Sequence, residues 1–131
     1  MSTSFPMDGM RVRFAGEIEA LGDAISALDV AVHLPDSPES FELAVVEGMA
    51  AGTAIVAADS GPVREVVRPG EAALLAPPGD HEVLATTLLA LHDDPVARER
   101  LGAAGAEAAR TRFDSHQMAR RVEAIYRDAM E

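Results

Sequence analysis

Apolar residues along this chain fall into short runs separated by Gly, Pro and Asp, and the spacing within each run predicts its element. Met10 to Gly16 alternates around Val12 and Phe14, the pattern of a strand closed by a glycine turn. Leu21, Ile25 and Leu28 repeat at helical spacing, although Gly22 weakens that helix, and Asp29 ends it. Val30 to Leu34 is mostly apolar, as expected for a short strand covered on both faces. After a loop at Pro35 to Pro38, a strongly apolar helix runs to Ala51 and stops at Gly52. Ala54 to Ala58 and Ala72 to Ala76 are further buried-strand runs, and Val63 to Val67 between them has room only for a short helix. Asp80 caps a helix from His81 to about Leu91, and Asp94 before Pro95 caps the next. That helix tolerates Gly102 and Gly105, Phe113 packs the connection, and Asp114 or Ser115 caps a last helix with Met118, Val122, Ile125 and Tyr126 on one stripe.

Strands alternating with helices predict an α/β domain of about four parallel strands with right-handed crossovers and a helical C-terminal tail. At 131 residues the chain is a single domain: a flexible leader at 1–9, a strand and helix core at 10–80 and C-terminal helices at 81–131. Hydrophobic residues make up 48% but aromatics only 4%, so the core is built from small side chains in closely packed elements. The formal charge of −11, from 22 acids against 11 bases that are all arginine, excludes nucleic-acid binding, which needs clustered positive charge. There is no cysteine, hence no disulfide or thiolate metal site. The first ten residues lack the basic and apolar blocks of a signal peptide, and no uncharged apolar run reaches membrane-spanning length, so a cytoplasmic protein without a transmembrane segment is expected.

The stretch Pro38 to Gly52 holds the candidate chemistry. Glu39 and Glu47 have seven residues between them, and Glu47 is an acid set among Leu43, Ala44, Val45, Val46 and Met49. A carboxylate in that company calls for a specific partner, either a ligand or local backbone groups. In a parallel sheet, ligands sit outside the carboxyl ends of the strands, where this helix begins. Ser40 reads as a ligand contact or as an N-cap. His33 ends a buried strand, where a hydrogen-bonded core or rim histidine is the usual outcome. The spacing of His81, His92 and His116 fits no metal site. Arg64 reaches either a phosphate or a surface acid, and no nucleophile has a recognisable base.

The run ESFELAVVEGMAAGTAIVAADSGPVREVVRPGEAALLAPPGD resembles the later half of the C-terminal domain of retaining nucleotide-sugar glycosyltransferases, the group 1 family with two Rossmann-like domains. The glutamate pair around Phe41 and Leu43, the small-residue turn, the EVV segment and LLAPPGD carry the likeness, which extends from about Val12 into the tail. The resemblance implies a partial Rossmann-like three-layer domain that binds a UDP-, GDP- or ADP-sugar and transfers its sugar with retention, without metal or other cofactor. It further implies that backbone amides at Phe41, Glu42 and Leu43 hold the donor diphosphate. Ser40 lies beside them, Glu47 bonds the ribose hydroxyls, and Glu39 lies against the transferred sugar as the one catalytic candidate.

Two departures modify the picture. Glu42 stands where the family has glycine, either pointing outward or placing its carboxylate in the anion site. In the latter case repulsion of a phosphate at about 4 Å is roughly 4 kcal/mol near a protein surface. The family's two leading strand and helix units, with their basic diphosphate contacts, and its acceptor domain have no counterpart in this sequence. The chain is therefore expected to be N-terminally truncated and inactive alone, with its open sheet edge paired either by Val12 to Ala15 moving in or by a second copy or companion chain. The alternative is a non-catalytic nucleotide-binding module or an interaction remnant.

Overall fold

Five consecutive apolar residues too short for a helix make a strand that is buried on both faces, and Ala54–Ala58 is that strand, the centre of the fold. A computed structural model describes residues 3–7, 9–35, 42–68 and 70–131. Along the chain run β1 (Thr3–Met7), β2 (Met10–Phe14), α1 (Leu21–Ser26), β3 (Val30–His33), α2 (Leu43–Ala50) and β4 (Ala54–Ala58). They are followed by α3 (Gly61–Val66), β5 (Leu74–Ala76), α4 (His81–Asp93), α5 (Pro95–Arg112) and α6 (Ser115–Ala129).

β3, β4 and β5 form a parallel sheet in that order, with Val30 opposite Ala54 and Val56 opposite Leu74. The side chains of β4 alternate between two cores. Ile55 and Ala57 pack with Val45 and Met49 of α2, Val63 and Val66 of α3 and Ala109 of α5. Ala54 and Val56 face the other way, onto Leu91 of α4 and Leu101 of α5. The result is the expected three-layer α/β arrangement, with Phe113 packed against the first core as the sequence indicated.

The expected fourth parallel strand is not in this sheet. β2 pairs antiparallel with β1, Met7 opposite Met10, as a separate hairpin. Gly9, with φ +86°, supplies the left-handed residue that so tight a reversal requires, and β1 occupies the stretch expected to be a flexible leader. β3 is consequently an edge strand, with Val32 and Leu34 about half exposed.

Two glycines of α5 are points of close approach. A Cβ at Gly102 would lie 2.2 Å from the carbonyl oxygen of Gly52, and one at Gly105 would lie 3.4 Å from the Cα of Met49. These contacts clamp α5 against the C-terminal end of α2 and the turn after it, which fixes where α2 points. Gly52 itself has φ +72°, the left-handed stop that the end of α2 called for. Among the described residues no helix is long and apolar enough to cross a membrane.

Candidate functional site

The carboxyl ends of β3, β4 and β5 face one edge of the domain, and α2 starts there. Glu39, Ser40 and Phe41 lie outside the described residues. Glu42, Leu43 and Glu47 are described. The residue capping α2 is Glu42, two positions beyond Ser40. The amides of Val45 and Val46 both donate to the Glu42 carbonyl, at 3.1 and 3.2 Å. Those of Leu43 and Ala44 have no acceptor among the described residues, and no side chain caps the helix. Both residues are exposed. Two N–H groups with no acceptor among the described residues, at the positive end of a helix dipole, form a place where an anion is favoured.

Glu42 corrects the sequence reading. Its side chain does not point outward: it is 0% exposed, and its Oε2 lies 2.6 Å from Nε2 of His33, the last residue of β3. Nor does the carboxylate bond the amides of its own helix. It is drawn back between the end of β3 and the start of α2, where its second oxygen, Oε1, is buried with no hydrogen-bond partner. His33 thus fulfils the rim role expected of it, with its side chain 21% exposed. The sequence missed the pairing because the two residues are nine apart and meet only when β3 and α2 share an edge. The signal was there in principle: a strand-terminal histidine and a helix-cap acid on consecutive elements.

Glu47 sits one turn into α2, half-buried, on the same face as Leu43. The buried residues of the helix are Val45, Gly48 and Met49, so the helix is covered on one side rather than all round. The sequence called for a specific partner for this carboxylate, and Glu47 finds none among the described residues.

Arg64 is engaged away from any phosphate. It donates from Nε and NH2 to the two carboxylate oxygens of Asp59, at 2.6 and 2.8 Å. The hydrogen bond from the guanidinium holds the Asp59 carboxyl below its ordinary range and raises Arg64 above its own. No group of three or more metal-ligating side chains occurs among the described residues. A cleft of about 280 Å³ opens at the same edge, lined by Leu34, Pro35, Ala58, Ala76, Asp80 and His81, and none of Glu42, Leu43 and Glu47 lines it. A larger apolar groove of about 480 Å³ runs from Leu43 and Val46 of α2 to Met118, Val122 and Ile125 of α6.

Residues 9–108 match the family model of the glycosyl transferases group 1. A phosphatidyl-myo-inositol mannosyltransferase of Mycobacterium leprae is 41% identical over 117 residues, which are 88% of this chain and 31% of that relative. A D-inositol 3-phosphate glycosyltransferase of Thermomonospora curvata is 42% identical over 91 residues, 70% of this chain and 21% of its own length. Among solved structures, a sucrose-phosphate synthase from Thermosynechococcus elongatus superposes with TM-score 0.82 at 34% identity, over 89% of this chain and 30% of that one. Anabaena HepE in complex with UDP-glucose superposes with TM-score 0.69 at 28% identity, over 77% and 29%. The chain spans about a third or less of the length of the curated relatives it matches.

Proposed function

This chain belongs to the glycosyl transferases of group 1, and from that premise we propose that it is a donor-binding domain for a nucleotide sugar, serving cytoplasmic sugar transfer with retention. The observation that carries the reading is the N-terminus of α2, where Leu43 and Ala44 are exposed residues whose amides have no acceptor among the described residues. A donor diphosphate accepts from them, favoured by the helix dipole. Glu47 lies on the same helix face as Leu43 with no partner among the described residues, and its two oxygens suit the paired hydroxyls of a ribose. The UDP-glucose complex of HepE supports a UDP-sugar as the first donor to try, with GDP- and ADP-sugars beside it. Glu39 remains the catalytic candidate. The domain alone holds one substrate, and transfer also needs an acceptor brought to the same place, so the isolated chain is expected to bind donor without turning it over.

Calorimetric titration with UDP, GDP, ADP and their glucose conjugates tests the reading, with amide NMR following Leu43 and Ala44. Binding of one nucleotide with shifts at those two amides is expected. Glu47→Gln should weaken nucleotide affinity by about tenfold, the order of one charge-assisted hydrogen bond, and leave the unfolding midpoint in place. Silence of every amide at millimolar nucleotide would remove the donor reading.

A second reading is favoured by the uncovered apolar surface. β3 is an edge strand with Val32 exposed, and α6 presents Ile125, Tyr126 and Met130 to solvent at 66% exposure or more. Such faces suit an interaction domain that binds a second copy or a companion chain. Light scattering discriminates: a mass above one chain supports self-association, and a clean monomer leaves only a companion chain to cover them.

A further inference from the structure

The described helices of this protein show what an acid at a cap ordinarily does. Asp80, Asp94 and Asp114 cap α4, α5 and α6, and each accepts a hydrogen bond from the amide three residues on, in Val83, Ala97 and Gln117, at 2.9 to 3.0 Å. Glu42 occupies the same cap position on α2 and does not do so. Its carboxylate is bound to His33 instead, and its remaining oxygen has no donor among the described residues. The amides of Leu43 and Ala44, which follow Glu42, have no acceptor among the described residues, so the first turn of α2 is left to an outside acceptor.

Resting on the donor reading, we propose that the His33–Glu42 pair is a specificity device that keeps this helix end open to a phosphate. His33 is the positioning residue. By holding Oε2 under the end of β3, it denies the carboxylate to the first turn of α2, where a freed acid would accept from the amide of Ala44 or Val45 and set negative charge beside that of Leu43. Burial is what makes the withdrawal effective, because a carboxylate enclosed by protein presents no exposed oxygen to an incoming anion. An acid at a position next to a diphosphate site is thereby made compatible with binding one.

The decisive variant moves the carboxylate while keeping its charge. Glu42→Asp is one methylene too short to keep the 2.6 Å contact with His33, and has the length that Asp80, Asp94 and Asp114 use to cap their own helices. Measured by calorimetry with UDP and uridine in parallel, E42D should lose about tenfold or more in affinity for UDP and stay within about twofold for uridine. E42G, which has no carboxylate to place, should keep the wild-type ratio of UDP to uridine affinity, and so should H33L/E42G. H33L alone should lose UDP selectively, and H33Q, whose side-chain amide can still donate to Glu42, should restore it. If H33L does not fold, E42D and the double variant carry the test. Equal UDP to uridine ratios in wild type, E42D and E42G overturn the device while leaving the donor site standing. Absence of both UDP and uridine binding in wild type and in E42G overturns the donor reading and the device with it.

Discussion

The two partners of the His33–Glu42 contact are not equivalent, and their difference is measurable without any ligand. Glu42 is fully buried, whereas the His33 side chain is 21% exposed. Replacing His33 by alanine leaves a buried carboxylate with neither oxygen bonded among the described residues, and stripping a buried carboxylate of its hydrogen-bond partner costs about 3–5 kcal/mol. Reorientation of the freed acid onto the α2 amides recovers about 1 kcal/mol, the worth of an N-cap, so His33→Ala should cost about 2–4 kcal/mol. Replacing Glu42 by alanine instead removes the charge itself and leaves an imidazole that water can reach. The losses are one methylene of packing, about 0.8 kcal/mol, and the hydrogen bond to His33, about 1 kcal/mol, while removal of the unpartnered Oε1 returns roughly 1–3 kcal/mol, for a net change near zero. The double variant should match Glu42→Ala, since His33 matters to stability only through the carboxylate. With a urea slope of about 2 kcal/mol per M for a domain of this size, the two single variants should differ in unfolding midpoint by roughly 1–2 M. Urea unfolding followed by circular dichroism reads the difference directly. Coincident midpoints, or a lower midpoint for Glu42→Ala, would refute the claim that the buried acid is held in place by the histidine.

Two further outcomes follow from the scaffold. Gly102→Ala sets a Cβ 2.2 Å from the Gly52 carbonyl oxygen and 3.0 Å from its carbon, both backbone atoms, and should destabilise by about 1–3 kcal/mol in thermal unfolding; an unchanged Tm would mean that α5 slides freely past that turn. Asp59 has its folded pKa lowered by the Arg64 hydrogen bond, so its contribution is complete above the ordinary value of 3.8 and is lost as pH falls through the folded value. The stability gap between wild type and Asp59→Asn should therefore be flat at neutral pH and close only in that acidic window, and a gap that closes near neutrality would contradict the pairing.

What the sequence revealed divides along a physical line. Ala54–Ala58 was legible because an uninterrupted apolar run of five, bounded by polar and turn residues, is a buried strand whatever surrounds it. The caps at Asp80 and Asp94 were legible because capping is local, set by residues three apart. The hairpin was missed because alternation gives a strand without giving its partner, and β2 pairs with the stretch read as a leader instead of joining β3. Gly102 looked like a tolerated weakness in a helix, and only the approach of the Gly52 carbonyl shows why a side chain is excluded there.

Glu42 is the instructive case for the site. Read along the chain, an acid in place of glycine beside a phosphate site argues for repulsion, since Coulomb energy depends on separation and the sequence supplies no direction for the side chain. The direction comes from β3. Once the strand places His33 at the same edge, the carboxylate has a partner 2.6 Å away that its own helix does not offer, and it leaves the amides of Leu43 and Ala44 open. On the proposed reading, the repulsion of a phosphate by this carboxylate is lessened by its turn toward the imidazole, so the sign of the residue alone does not predict its effect on the site. For a helix N-terminus the relevant quantity is therefore where the cap carboxylate is held, which depends on the neighbouring strand as much as on the cap residue.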